Sequence, residues 1–139
     1  MKFSEAVSLA LHTAVVLAQN PDKPLTAREI ASGLGVSEAH LSKVLQRLVK
    51  FGLVHSFRGP GGGFVLAVPA DHVTLLQIYQ AIEGPLQAHH CLLGKPACNG
   101  HGCVLGGLLA SVHSQVEGYL SQTTLARLIP LEWRREQYA

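Results

Sequence analysis

Residues 59–63 read Gly-Pro-Gly-Gly-Gly, and no other run restricts the folding of this chain as strongly. Glycine and proline are poorly tolerated inside helices and paired strands, so this segment is a turn. It is flanked by two short β-prone runs, Leu53-Val54-His55-Ser56-Phe57 and Phe64-Val65-Leu66-Ala67-Val68. Two such runs around a Gly/Pro turn make a β-hairpin. Arg58 stands at the base of the turn, before a tip with almost no side-chain bulk.

The rest of the chain has helical spacing. Residues 3–19 place Phe3, Val7, Ala10, Leu11, Ala14, Leu17 and Ala18 on one face, with Glu5, Ser8, His12 and Gln19 on the opposite stripe. Asn20-Pro21-Asp22-Lys23-Pro24 breaks that helix. Thr26-Ala27-Arg28-Glu29 is a capping box for a second helix, which Gly33 and Gly35 end. Ser37 caps a third that extends to about Phe51, with Gly52 as its stop. Beyond the hairpin, Thr74 caps a helix from Leu75 to Glu83, and Gly84-Pro85 stops it. Val104 to Leu120 reads as a longer helix with Leu105, Leu109, Val112, Val116 and Leu120 along one seam. Thr123 or Thr124 opens a short last helix through Ile129, after which the chain is expected to fray. The expected fold is mainly α with a small β-hairpin: a winged helix-turn-helix followed by a long C-terminal helix.

On the third helix Leu41, Val44, Leu45 and Leu48 point toward a core. Ala39, Ser42, Lys43 and Gln46 point away, flanked by His40, Arg47 and Lys50. That outer face has short side chains near its N-terminus and basic ones further along. It suits a major groove, with early residues at base edges and Arg47 and Lys50 at phosphates. A solvated helix face would look similar, and the hairpin decides between the two readings. A thin wing of Arg58, Gly59 and Gly61 fits a minor groove, where narrow A·T-rich stretches attract a guanidinium. A phosphate-cradling nucleotide loop is excluded, because Phe64 occupies the sixth position of a G-x-G-x-x-G frame and no Gly-Lys-Ser/Thr follows. Charge is uneven in the same sense: residues 1–68 hold seven Lys/Arg against four Asp/Glu, while residues 69–139 hold four against five. The expected partner is double-stranded DNA.

The three cysteines, Cys91, Cys98 and Cys103, fall within thirteen residues, with His89, His90 and His101 beside them. An odd number of thiols cannot all pair within one chain, so a disulfide framework is not expected. The longest apolar run, Ala14 to Ala18, is far too short to cross a bilayer. The residues after Lys2 lack the pattern of a cleavable signal. A cytoplasmic location is therefore expected, where thiols stay reduced and clustered ones bind metal or sense redox state. Gaps of six and four residues fit a tight zinc knuckle poorly and lean toward an iron–sulfur cluster. Three free thiols without cofactor, closing disulfides on oxidation, are the alternative. Enzymatic function lacks support, since there is no nucleophile elbow and no H-E-x-x-H pair. No small-molecule substrate is expected.

Arg58-Gly59-Pro60-Gly61-Gly62-Gly63-Phe64 behind a helix-turn-helix, followed by a three-cysteine loop, resembles the Rrf2 family of bacterial transcription regulators, over essentially residues 1–130. Its members include an iron–sulfur cluster regulator and a nitric-oxide-sensing repressor. The resemblance implies a homodimer reading an imperfect palindrome, with the long helix at the interface against the partner's first helix. Gly106 and Gly107 would then allow close approach. It also implies that Cys91, Cys98 and Cys103 hold a 2Fe-2S or 4Fe-4S cluster, although the family spaces its cysteines evenly. The fourth ligand departs from the family pattern. Gly106 replaces the histidine of the cluster regulator, and Ser8 replaces the first-helix acid of the other types. The histidine used one turn further on by a redox-sensing relative is kept as His12, with His101, His90 and His89 as the other candidates. Cluster state would then set operator affinity. The expected division is a DNA-binding unit at 1–84, a cysteine loop at 85–103, and a dimerisation helix with tail at 104–139.

Overall fold

The computed structural model describes residues 3–88, 92–93 and 103–133. Its elements are α1 (Glu5–Ala18), α2 (Ala27–Leu34), α3 (Glu38–Lys50), β1 (Val54–Phe57), β2 (Gly63–Leu66), a 3-10 turn at Ala70–His72, α4 (Leu75–Glu83), α5 (Leu108–Gln122) and a 3-10 turn at Leu125–Leu128. The two strands form one antiparallel hairpin in which Val54 faces Leu66 and Phe57 faces Gly63. This is the mainly helical, hairpin-bearing fold that the sequence implies.

Helix α1 is the centre of the core. It packs against α3, α4, β2 and the second 3-10 turn. Contacts on so many sides bury a wider arc than one amphipathic stripe. Leu9, Thr13 and Val15 are buried along with Val7, Ala10, Ala14, Leu17 and Ala18. Glu5, Ser8 and His12 keep the exposed stripe expected of them. Phe3 does not join the core as expected. It is 55% exposed, and its ring meets Tyr79 at 5.5 Å.

Thr13 is fully buried, and among the described residues its hydroxyl has no hydrogen-bond partner. A buried hydroxyl without a partner carries its desolvation cost uncompensated. Thr13→Val keeps the shape and removes the polar atom. It is expected to raise the unfolding free energy by about 1 kcal/mol, measured by urea denaturation. A loss of stability in that variant would show that the hydroxyl is satisfied after all.

Both ends of α4 are tied down. Thr74 forms a full capping box with Gln77. Backbone bonds of 3.0 Å link Leu75 N to Thr123 O and Leu125 N to Val73 O, clipping the start of α4 to the chain leaving α5. At the other end the Ser4 hydroxyl donates to the Glu83 carboxylate while accepting from the Val7 N–H, which joins the start of α1 to the end of α4. The cysteine-bearing segment departs immediately after this joint.

Three boundaries differ from expectation. The capping box at Thr26 forms only its first half, with the Thr26 hydroxyl accepting from Glu29 N. Gly33 lies inside α2, and Gly35 alone ends it with φ of 68°. The long C-terminal helix begins at Leu108 rather than Val104. Gly106 takes φ of 55°, in the left-handed region that helices exclude, and residues 104–107 form a turn. Gly106 and Gly107 therefore shape the entry to α5 instead of lining its seam. No helix among the described residues is long and apolar enough to cross a membrane.

Candidate nucleic-acid interface and cysteine loop

The α2–α3 turn is built from local chemistry. Gly35 N and Val36 N both donate to the Ala31 carbonyl, which folds the end of α2 back on itself. Ala31 is buried and small at this crossing. Ser37 then caps α3 by accepting from His40 N at 3.3 Å. At the far end, Leu53 N bonds to Leu48 O and Gly52 N to Val49 O, a Schellman closure that turns the chain directly into β1. Helix α3 is thus fixed at both termini.

The two faces of α3 separate as the spacing implies. Leu41, Val44, Leu45 and Leu48 are buried, whereas Ala39, Lys43, Gln46, Arg47 and Lys50 are exposed, with His40 and Ser42 half-buried beside them. Lys43, Arg47 and Lys50 share one side at helical spacing. Arg47 is more constrained than a free surface arginine: its Nε donates to the Ala81 carbonyl at the end of α4, at 3.3 Å. The fork is held in a defined direction while remaining exposed. A fixed fork loses less freedom on meeting a phosphate.

The wing distributes its glycines between two tasks. Gly59 and Gly61 have φ of 89° and 75° and open space around them, so they shape the tip. Gly62 and Gly63 are there for room. A Cβ on Gly62 would lie 2.4 Å from Phe57 O, and one on Gly63 would lie 2.6 Å from Leu25 O. Gly63 sits where the hairpin meets the segment before α2, held by Phe64 N to Leu25 O at 2.8 Å and Leu25 N to Phe64 O at 3.1 Å. The wing is therefore anchored to the helix-turn-helix itself. Arg58, Gly59, Pro60 and Gly61 are exposed at its end. Composition announced the turn; the close approach at Gly62 and Gly63 carries no signal in a single sequence.

Cys91 and Cys98, with His89, His90 and His101, lie outside the described residues. Cys103 is exposed, and among the described residues it has no disulfide partner. Its carbonyl accepts from Gly106 N at 2.9 Å, so it opens the turn that leads into α5. Among the described residues no three metal-ligating side chains are gathered. His12 is exposed on α1, with Nδ1 2.7 Å from the Ser8 carbonyl. A carbonyl only accepts, so Nδ1 carries the hydrogen and the neutral ring keeps its lone pair on Nε2. A cysteine sulfur such as that of Cys103 and an imidazole presenting Nε2 are donor types that suit an iron–sulfur cluster.

Residues 129–133, at the start of the end that was expected to fray, form a strap across α1, and residues 134–139 lie outside the described residues. The Gln19 amide donates to the carbonyls of Ile129 and Leu131, and its oxygen accepts from Trp133 Nε1. The Trp133 ring meets the His12 ring at 5.7 Å. Only the presence of the sole tryptophan in that segment hinted at a packed end.

Residues 3–130 match the Rrf2 family, described as an iron-dependent transcriptional regulator. An Aquifex aeolicus protein of the HTH-type transcriptional regulator class is 32% identical over 95% of this chain and 94% of its own length. The HTH-type transcriptional regulator IscR of Serratia proteamaculans is 31% identical over 82% of this chain and 70% of its own. The structure of CymR, the global cysteine regulator of B. subtilis, superposes with a TM-score of 0.78 at 28% identity, covering 93% and 96% of the two chains. These relatives are regulators and not enzymes, and their winged-helix architecture is the one described above. The chain belongs to the Rrf2 family of DNA-binding transcriptional regulators.

Proposed function

We propose that this chain acts as a homodimer whose operator affinity is set by an iron–sulfur cluster on Cys91, Cys98 and Cys103, with His12 contributed across the dimer as a further ligand. The observation that carries this reading is Cys103, exposed at the entry to α5. The family's description as iron-dependent supports the choice of metal. When bound, the cluster supplies a centre that responds to iron supply, oxidants or nitric oxide.

Helix α5 has the surface of an element awaiting a partner. Of its fifteen residues only Leu120 is buried, while Leu108 and Tyr119, three turns apart on one side, are 53% and 60% exposed. Exposed apolar side chains in register along a helix are what a partner helix would cover in such a dimer. A two-fold pair would present two α3 helices to a pseudo-palindromic operator. In each, Ala39, His40, Ser42, Lys43 and Gln46 face base edges, Arg47 and Lys50 meet phosphates, and the Arg58 wing with Gly59 and Gly61 enters the minor groove. Movement of α5 against the neighbouring α1 would alter the spacing of the two reading helices.

Anaerobic purification with an absorption spectrum and iron and sulfide counts tests the cofactor. Operator affinity of cluster-loaded and cluster-free protein is expected to differ by about 5- to 150-fold. Equal affinities would reject cluster control. A second reading, thiol oxidation without a cluster, draws on the likeness to a cysteine regulator and on the exposed Cys103 thiol. It predicts colourless, sulfide-free protein whose operator binding changes with a disulfide-forming oxidant.

A further inference from the structure

We infer that Trp133, held by Gln19, is a positioning residue that fixes the ligand-ready tautomer and orientation of His12. The inference rests on the reading of His12 as a cluster ligand and assigns its support. Gln19 and His12 are seven residues apart, two turns of α1, and so share one side of the helix. The Gln19 carboxamide uses both of its ends. Its Nε2 donates to Ile129 O at 3.0 Å and to Leu131 O at 2.8 Å, and its Oε1 accepts from Trp133 Nε1 at 2.6 Å. One side chain therefore pins three points of a five-residue strap. The half-buried indole this fixes lies against His12, with ring centroids 5.7 Å apart and planes inclined by 48°. Both rings line an apolar groove with Leu11, Val15, Leu75 and Leu131.

An imidazole on a helix surface turns freely about two side-chain torsions, and in water its neutral form favours the hydrogen on Nε2. That is the wrong tautomer for a ligand presenting Nε2. Here the Ser8 carbonyl, 2.7 Å from Nδ1, favours the opposite tautomer. A single hydrogen bond on an exposed ring competes with water. The indole beside it removes space for rotation and shields one side from solvent. Supports of this kind, which orient a ligating histidine without touching the metal, tune metal sites widely. Gln19 holds the strap that brings Trp133 to His12.

The test begins with metal-free protein, so that it does not depend on the cluster. Long-range nitrogen–proton NMR correlations report which ring nitrogen of His12 carries the hydrogen. In the parent protein the Nδ1–H form is expected to dominate. Trp133→Ala and Gln19→Ala are each expected to shift the ring toward Nε2–H, while Trp133→Phe, which keeps a ring beside the imidazole, retains the parent tautomer. Amide spectra of the other elements confirm that each variant is folded. An unchanged His12 tautomer in both alanine variants would overturn the proposal. In reconstituted protein, Trp133→Ala is expected to speed cluster loss by about 10-fold. In a His12→Ala background the same substitution should add nothing, and an undiminished effect there would also overturn it. A colourless parent protein would reject the cluster reading but leave the tautomer result standing, so the two failures are distinguishable.

Discussion

Leu41→Ala is expected to lower the unfolding free energy by about 3–5 kcal/mol, read as an earlier denaturation midpoint with an unchanged slope. Leu41 is fully buried in the first half of α3, a helix that packs on α1, α2 and α4. Truncation forfeits its transfer energy and leaves a void that neighbouring helices close only in part. Lys50→Ala, on the exposed face at the end of the same helix, is expected to change stability by less than about 0.5 kcal/mol. Its effect belongs to DNA: the slope of log affinity against log salt should fall by about one, the signature of one lost phosphate contact. The pair separates what holds α3 from what α3 touches. A Leu41→Ala variant losing under about 1 kcal/mol would contradict the burial of that face. An unchanged salt slope in Lys50→Ala would take this end of the helix away from the phosphates.

The parts of this fold that were legible in the sequence are those governed by neighbours along the chain. Thr74, Ser37 and Gly52 act on backbone groups within three to five residues, and each caps or stops its helix as expected. The division of α3 into Leu41, Val44, Leu45 and Leu48 against Lys43, Gln46 and Lys50 follows from periodicity alone. What could not be read depends on partners far away in sequence. The burial of Leu9, Thr13 and Val15 requires that α1 be surrounded, and the Gln19–Trp133 bond joins residues 114 positions apart. Even the start of α5 was misplaced, because apolar spacing from Val104 onward outweighed the positive φ that Gly106 adopts. The candidate site divides in the same way. The exposed polar face of α3 follows from local pattern, Cys103 and His12 are exposed, and Cys91 and Cys98 lie outside the described residues.

The wing supplies the second large effect. Gly63→Ala is expected to destabilise the protein by about 2–4 kcal/mol and to lower the melting temperature by roughly 10 °C. Two causes combine at this position. Its φ of 146° lies where L side chains are strained, and an added Cβ would meet Leu25 O at 2.6 Å and Leu25 C at 2.7 Å. Those atoms are backbone, held by the paired bonds between Leu25 and Phe64, so relief requires breaking the bridge and not turning a side chain. Gly59→Ala is the control. Its φ of 89° brings strain as well, but nothing lies within 4 Å of the added carbon, and a cost of about 1 kcal/mol is expected. The difference between the two variants measures the clash apart from the strain. Because the Leu25–Phe64 bridge anchors the hairpin beside the helix-turn-helix, Gly63→Ala is also expected to weaken operator binding at temperatures where the variant is still folded. Equal stability of the two variants would mean that hairpin and helix-turn-helix are not locked together. Arg58 would then have to be placed by the DNA rather than presented to it.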